Sequence, residues 1–135
     1  MAKLTFTAEE LVDIAVSNGL LPPEIVRMKV KGERIHFVIK TGSFVLPFMP
    51  ASLKYLRFDG DNAVFELAVV GSHATKAMGR LNNLIELHLP GYVKLEYPNV
   101  FVEINRLLED KNVKSIRVKD VQFEKGSFSI VAAGA

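Results

Sequence analysis

The sequence predicts an α+β domain, in which an antiparallel sheet is built from three β-hairpins and about three amphipathic helices pack mainly on one face. In three paired runs, apolar residues alternate with polar ones on either side of a turn that contains glycine. A period of two of this kind is typical of hairpin strands. Elsewhere apolar residues recur at intervals of three and four, as on one face of a helix. Hairpins with segregated helices form a two-layer fold.

The first predicted element is a helix over residues 8–18. Thr7 and Glu10 have the spacing of a capping box, in which the threonine hydroxyl accepts from the glutamate amide and the glutamate side chain reaches back. Apolar residues then follow at helical spacing. Gly19 fits the end of the helix, because glycine readily takes the left-handed conformation that follows a last turn.

The three hairpins share one pattern: apolar-x-apolar, a turn containing glycine, and apolar-x-apolar again. They span residues 28–39, 56–67 and 121–130. This pattern resembles that of lipid-binding sheet domains of the tubular or phospholipid-binding type. The resemblance extends to no individual residue, so it implies a lipid-like ligand without assigning a site.

Two further helices are predicted between the second and third hairpins. Ser72 can cap the first, whose apolar stripe has the i, i+3, i+4, i+7 spacing of one helix face. Asn99 is the predicted cap of the second, which ends near Asn112. The apolar stripe of the first consists of Ala74, Ala77, Met78, Leu81, Leu84 and Ile85.

The stretch over residues 41–52, TGSFVLPFMPAS, is apolar but contains two prolines. Since proline cannot donate to a sheet ladder, no central strand is expected over residues 44–50. The stretch can be a connection packed into the core, a wall of an apolar pocket, or an exposed patch for a partner or a membrane interface. The residues of this candidate apolar contact surface are Phe44, Leu46, Phe48 and Met49.

Length and composition limit the class of protein. The 135 residues fit a single domain over 1–135. The absence of cysteine excludes disulfides, thiolate catalysis and cysteine metal sites. A net charge of +2 is too small to predict nucleic-acid binding. No apolar run approaches the roughly 20 residues of a membrane-spanning helix, and no signal peptide is visible, so a cytoplasmic protein is predicted.

Chemistry-bearing motifs are missing from the sequence, so no catalytic residue, cofactor or metal site is predicted. The three histidines, His36, His73 and His88, form no short ligand motif, and glycine-rich phosphate loops are absent. The sequence DGDN at residues 59–62 suits a tight turn better than a calcium loop. An enzyme would require dispersed histidines and carboxylates that meet only in the fold.

Basic residues on the leading strands of the hairpins are candidate anion contacts. If those strands align, several of the residues share the outer face of the sheet, where they can bind phosphate groups. The alternative is a solvated face, with lysines that guard strand edges against aggregation. The candidates are Lys29, Lys31, Arg57, Arg117 and Lys119.

These observations predict a non-enzymatic domain that acts through an apolar surface or groove, as a homo-oligomer or a partner-binding module. The hairpins carry more apolar residues than a one-sided sheet needs, so something is expected to cover part of the second face. The alternative is an amphipathic ligand, such as a fatty acid or a phospholipid, whose head is held by the basic strand residues.

Overall fold

The computed structural model describes residues 2–40, 47–69, 89–96 and 98–134. Those residues form nine strands and two helices. The strands are β1 (Ala2–Thr7), β2 (Ile25–Lys31), β3 (Arg34–Lys40), β4 (Phe48–Asp59), β5 (Asn62–Val69), β6 (Val93–Glu96), β7 (Asn99–Glu103), β8 (Arg117–Glu124) and β9 (Ser127–Ala133). The helices are α1 (Ala8–Ser17) and α2 (Ile104–Asp110).

The strands form two antiparallel sheets, so the prediction of one hairpin sheet covered by about three helices is wrong. The small sheet has the order β1-β9-β8, and the large sheet has the order β2-β3-β4-β5-β7-β6. The described part of the chain is mostly β, with only two short helices. The fold class was mistaken because β1, β6 and β7 add strands that the hairpin pattern alone does not reveal. The predicted helix with the stripe from Ala74 to Ile85 lies outside the described residues.

Local signals that need no distant partner are confirmed. The Thr7 hydroxyl accepts from the Glu10 amide at 3.1 Å, and the Glu10 carboxylate accepts from the Thr7 amide at 3.0 Å. This capping box begins α1, and Gly19 follows its end with a φ of +62°. The three predicted hairpins are present as β2–β3, β4–β5 and β8–β9.

The helix predicted to begin at Asn99 begins five residues later, at Ile104. Residues 99–103 read NVFVE and form β7, which pairs with both β5 and β6. Val100 and Val102 lie on the face of Ala63 and Phe65 and are half-buried there. Residues two apart share one face of a strand but would lie on different sides of a helix. Pairing with β5 and β6 therefore outweighs the preference of Asn99 for a helix cap.

Strand β4 begins at Phe48 and includes Pro50, which corrects the expectation that residues 44–50 avoid a central strand. Pro50 lies opposite Val38 of β3. The Lys40 amide donates to Glu24, so by alternation the backbone groups of Val38 also point toward β2 and away from Pro50. The pairing of β4 with β5 is described only from Ala51 onward. Proline therefore removes no hydrogen bond from the described ladder.

The core lies on one side of the large sheet, called the inner face. Strand alternation places the residues of its first cluster on that face, and the cluster consists of Phe37, Ile39, Met49, Ala51, Leu67 and Leu95. A second cluster joins α1 to the small sheet through Ala8, Val118, Val121 and Phe128. Helix α2 contributes Ile104 and Leu108 to its border.

Tyr55 of β4 connects the two sheets. Its hydroxyl donates to the Val121 carbonyl of β8 at 2.6 Å. Its ring meets Phe65 of the large sheet and Phe128 of the small sheet edge-on, with centroid distances of 5.4 and 5.5 Å. Burial, with a smaller contribution from the Asp120 charge, raises the pKa of Tyr55 to about 12.

Candidate functional site

The opposite side of the large sheet, called the outer face, carries aligned rows of side chains. Residues directly opposite each other in antiparallel strands lie on the same face. One row runs across β2, β3, β4 and β5. It consists of Lys31, Arg34, Lys54 and Glu66. The row is therefore basic over the first three strands and becomes acidic at β5.

The next row along the strands lies on the same face and is also basic at β2 and β3. Lys29 is opposite His36, which is opposite Ser52 and then Ala68. Lys29, Lys31, Arg34, His36 and Lys54 thus share one corner of the outer face, called the basic corner.

The other end of the same strands is mainly apolar, with two cations at its border. Val26, Val38 and Pro50 form a row on the outer face, and Phe48 lies opposite Lys40 beyond it. The Phe48 side chain is exposed, and the Arg27 guanidinium lies 5.8 Å from its ring centroid. The outer face therefore changes from the basic corner to a mainly apolar end, called the apolar end and defined by Val26, Val38, Pro50 and Phe48, with the cations of Arg27 and Lys40 beside Phe48.

Arg34 is held in place within the basic corner. Its guanidinium donates to the Ser52 hydroxyl at 3.2 Å and lies 3.5 Å from the Glu66 carboxylate. Lys54 lies 4.0 Å from Glu33. Among the residues that the structure describes, Lys29 and Lys31 have no carboxylate partner and are exposed. The basic corner therefore combines a fixed guanidinium with two unpaired ammonium groups.

The structure separates the predicted anion contacts into two groups. Lys29, Lys31 and Arg57 lie on the outer face of the large sheet, although Arg57 follows a bulge and lies opposite Val64. Arg117 lies at the start of β8 and pairs with Asp61 at 3.0 Å. Lys119 lies at the bulge of β8 in the small sheet. Lys29 and Lys31 therefore belong to the basic corner, Arg57 lies beyond it on the same face, and Arg117 and Lys119 lie elsewhere.

Arg34 and His36 were missing from the predicted contacts. Both follow the turn of the first hairpin, and a two-residue turn at Gly32 and Glu33 sets them opposite Lys31 and Lys29. The turn was recognised in the sequence, so its cross-strand partners were available to the prediction.

The predicted apolar contact surface is divided by the strand. Phe44 and Leu46 lie outside the described residues. Phe48 is 48% exposed on the outer face, whereas Met49 is 2% exposed in the inner core. Successive residues of a strand point to opposite faces, so Phe48 and Met49 cannot belong to one surface.

Two open grooves lie near Tyr92. One, of about 360 Å³, continues the outer face over β6 and β7 and is lined in part by Lys94, Phe101 and Arg106. The other, of about 420 Å³, lies beside residues 19–23. Burial, and to a smaller extent the Asp110 charge, raises the pKa of Tyr92.

The described ranges contain neither a metal-binding cluster nor a membrane-spanning helix. They contain no cluster of three or more histidine, aspartate or glutamate side chains that could hold a metal ion. His73 and His88 lie outside them. No helix within these ranges has the length and apolar character needed to cross a membrane. Comparison of the chain with protein-family models, with curated proteins and with solved structures finds no match.

Proposed function

We propose that the outer face of the large sheet binds an amphipathic anion of the fatty-acid or phospholipid class. The observation that carries this proposal is the strand register, which places the basic corner and the apolar end on one continuous face. The anionic head contacts the basic corner, and the tail lies toward Phe48.

The charges of the basic corner suit an anionic head. Lys29 and Lys31 supply exposed ammonium groups, while the Arg34 fork is already oriented by Ser52. A fixed donor loses less side-chain entropy on binding than a free one. Glu66 neutralises part of Arg34, so the two lysines supply most of the attraction for an anion.

The separation of the two ends favours a long ligand. Lys54 and Phe48 lie six residues apart on β4, which corresponds to about 20 Å of extended strand. A free phosphate or a short carboxylate spans only the basic corner. An acyl chain that follows the strands reaches Phe48 and removes its exposed ring from water.

A partner-binding module, with the homo-oligomer as its simplest form, is the second candidate. The exposed Phe48 ring favours it, since the same apolar end can meet a protein surface. An amphipathic anion would use both the exposed Phe48 ring and the basic corner on the same face. A protein partner at the apolar end would not require the basic corner.

Calorimetric titration with dodecyl phosphate, below its micelle-forming concentration, tests the proposal. Saturable binding is expected, with inorganic phosphate and dodecyl maltoside each binding at least about tenfold more weakly. Equal binding of inorganic phosphate would indicate an anion site without a tail site. Absence of saturable dodecyl phosphate binding would refute the proposal.

Matched variants locate the binding. Lys29→Gln with Lys31→Gln should weaken dodecyl phosphate binding by about tenfold, through loss of two contacts to the head. Lys111→Gln with Lys114→Gln removes the same charge from an exposed segment before β8 and should have little effect. Equal weakening by both pairs would show that only net charge matters.

A further inference from the structure

Three of the four strand edges in the described residues are protected against pairing with another chain. Edge β2 is interrupted between Val26 and Lys29, where Arg27 has a φ of +57°. Edge β6 has only four residues. On edge β8, the Asn105 side chain accepts from the Val118 amide at 2.8 Å and donates to its carbonyl at 3.1 Å. Bulges, short strands and covering groups are the usual protections of a sheet edge.

Strand β1 has none of these three protections, and Lys3 is its only charged residue. It pairs with β9 on one side, and no described strand pairs with its other side. Five of its six residues are exposed, and the Leu4 side chain is 52% exposed. Leu4 lies on the same face of the small sheet as Phe6, opposite Ile130 and Phe128.

Backbone alternation identifies the groups on the open edge. The Ala8 amide donates to the Gly126 carbonyl at 3.1 Å, so even-numbered residues of β1 direct their backbone groups toward β9. Odd-numbered residues therefore direct theirs outward. The Thr7 amide is already bound by the Glu10 carboxylate. The donors that remain on this edge are the amides of Lys3 and Thr5.

The geometry points to a second copy of this chain as the occupant of the β1 edge, paired antiparallel about a two-fold axis at Leu4. Lys3 of each copy then lies opposite Thr5 of the other, and each such pair exchanges hydrogen bonds in both directions. The two Leu4 side chains meet in a non-hydrogen-bonded pair, where side chains approach most closely. The two small sheets become one continuous sheet.

The alternative axis, at Thr5, places Lys3 opposite Thr7. That register requires the Thr7 amide, which the capping box already uses. The axis at Leu4 uses every available donor and acceptor and leaves the cap intact. Lys3 does not obstruct it, because its side chain lies on the opposite face from Leu4. This inference does not depend on the outer face or its ligand.

Cysteine trapping tests the register, since the native chain contains no cysteine. Under mild oxidation Leu4→Cys should form a disulfide-linked dimer, because the two positions face each other across the axis. Ala2→Cys should form at least about tenfold less of the linked dimer, because position 2 of the other copy lies four residues away along the strand. Preferential trapping through Thr5→Cys would overturn the register. Equal, weak trapping at Leu4→Cys, Ala2→Cys and Thr5→Cys would show that the β1 strands of two copies do not pair.

A second measurement tests the backbone contact without cysteine. At concentrations up to about 1 mM, light scattering should show the mass approaching twice the 15.0 kDa of the chain. Thr5→Pro removes an outward amide and leaves the β9 ladder intact, so it should restore the monomer. Ile116 is an apolar residue about as exposed as Leu4, but it lies outside β1. Ile116→Lys should therefore leave the dimer unchanged. A wild-type monomer throughout, or a dimer that survives Thr5→Pro, would refute the inference.

Discussion

The link between the two sheets can be tested with Tyr55→Phe. This change removes one hydroxyl and keeps the ring that contacts Phe65 and Phe128. The lost hydrogen bond is 2.6 Å long, and its acceptor belongs to Val121, which is only 9% exposed. A net hydrogen bond contributes about 1 kcal/mol, and a buried acceptor without a partner costs about 1–3 kcal/mol. We expect a loss of about 2 kcal/mol in the free energy of unfolding.

Urea unfolding, followed by circular dichroism, measures this loss. The midpoint should fall with little change in the dependence on urea, because the surface exposed by unfolding is nearly the same. Tyr92→Phe is the matched control, since the Tyr92 hydroxyl makes no hydrogen bond among the described residues. The control should change stability by less than about 0.5 kcal/mol. A Tyr55→Phe effect as small as the control would refute the role of this bond.

The effect of Tyr55→Phe should also depend on pH. The folded-state pKa of Tyr55 is raised to about 12 from an ordinary value of 10.0. The unfolded chain therefore loses this proton first, and the stability contributed by the tyrosine is complete below pH 10. It is lost as pH rises toward 12. The difference in stability between the native chain and Tyr55→Phe should shrink over this interval, and a constant difference would contradict the buried position of the hydroxyl.

Two further changes test local stabilisation. Asn105→Ala leaves both backbone groups of Val118 without their side-chain partner. We expect the free energy of unfolding, measured in urea, to fall by about 2 kcal/mol. An unchanged free energy would contradict the role of Asn105 in covering the β8 edge. Thr7→Ala removes the cap of α1 and should lower the free energy of unfolding by about 1 kcal/mol. Thr5→Ala, on the same exposed strand, is the control. The Thr7 amide lowers the pKa of Glu10, so the stability from this contact should be present above pH 4.5 and disappear as pH falls below it.

The elements that the sequence predicts correctly are those with local causes. The capping box at Thr7 begins a helix without help from distant residues, and the three glycine turns join strands that are adjacent in the chain. Strand β1 escaped prediction because its partner begins more than a hundred residues later, at Ser127. A six-residue strand with a distant partner has no turn to reveal it. Strand β7 was misread for a different reason: Asn99 fits a helix cap, but it pairs with Glu96 of the neighbouring β6 and with Glu66 of β5.

The site was predictable only in part. Lys29 and Lys31 could be placed opposite His36 and Arg34, because a two-residue turn sets that register. The position of Lys54 depends on the pairing of β3 with β4, whose paired ends, Lys40 and Phe48, are eight positions apart in the sequence. The sequence therefore cannot specify which residue of β4 lies beside Arg34. The division between exposed Phe48 and buried Met49 was missed because the prolines argued against a strand over residues 44–50, whereas β4 begins at Phe48.

The central claim, that one face of the large sheet binds both parts of an amphipathic anion, is tested most directly by amide chemical-shift mapping with dodecyl phosphate. The account predicts saturable shifts at both ends of the outer face, around Lys29 and His36 and also around Phe48. Inorganic phosphate should shift only the basic corner. Shifts confined to the small sheet, or identical maps for the two probes, would contradict the account.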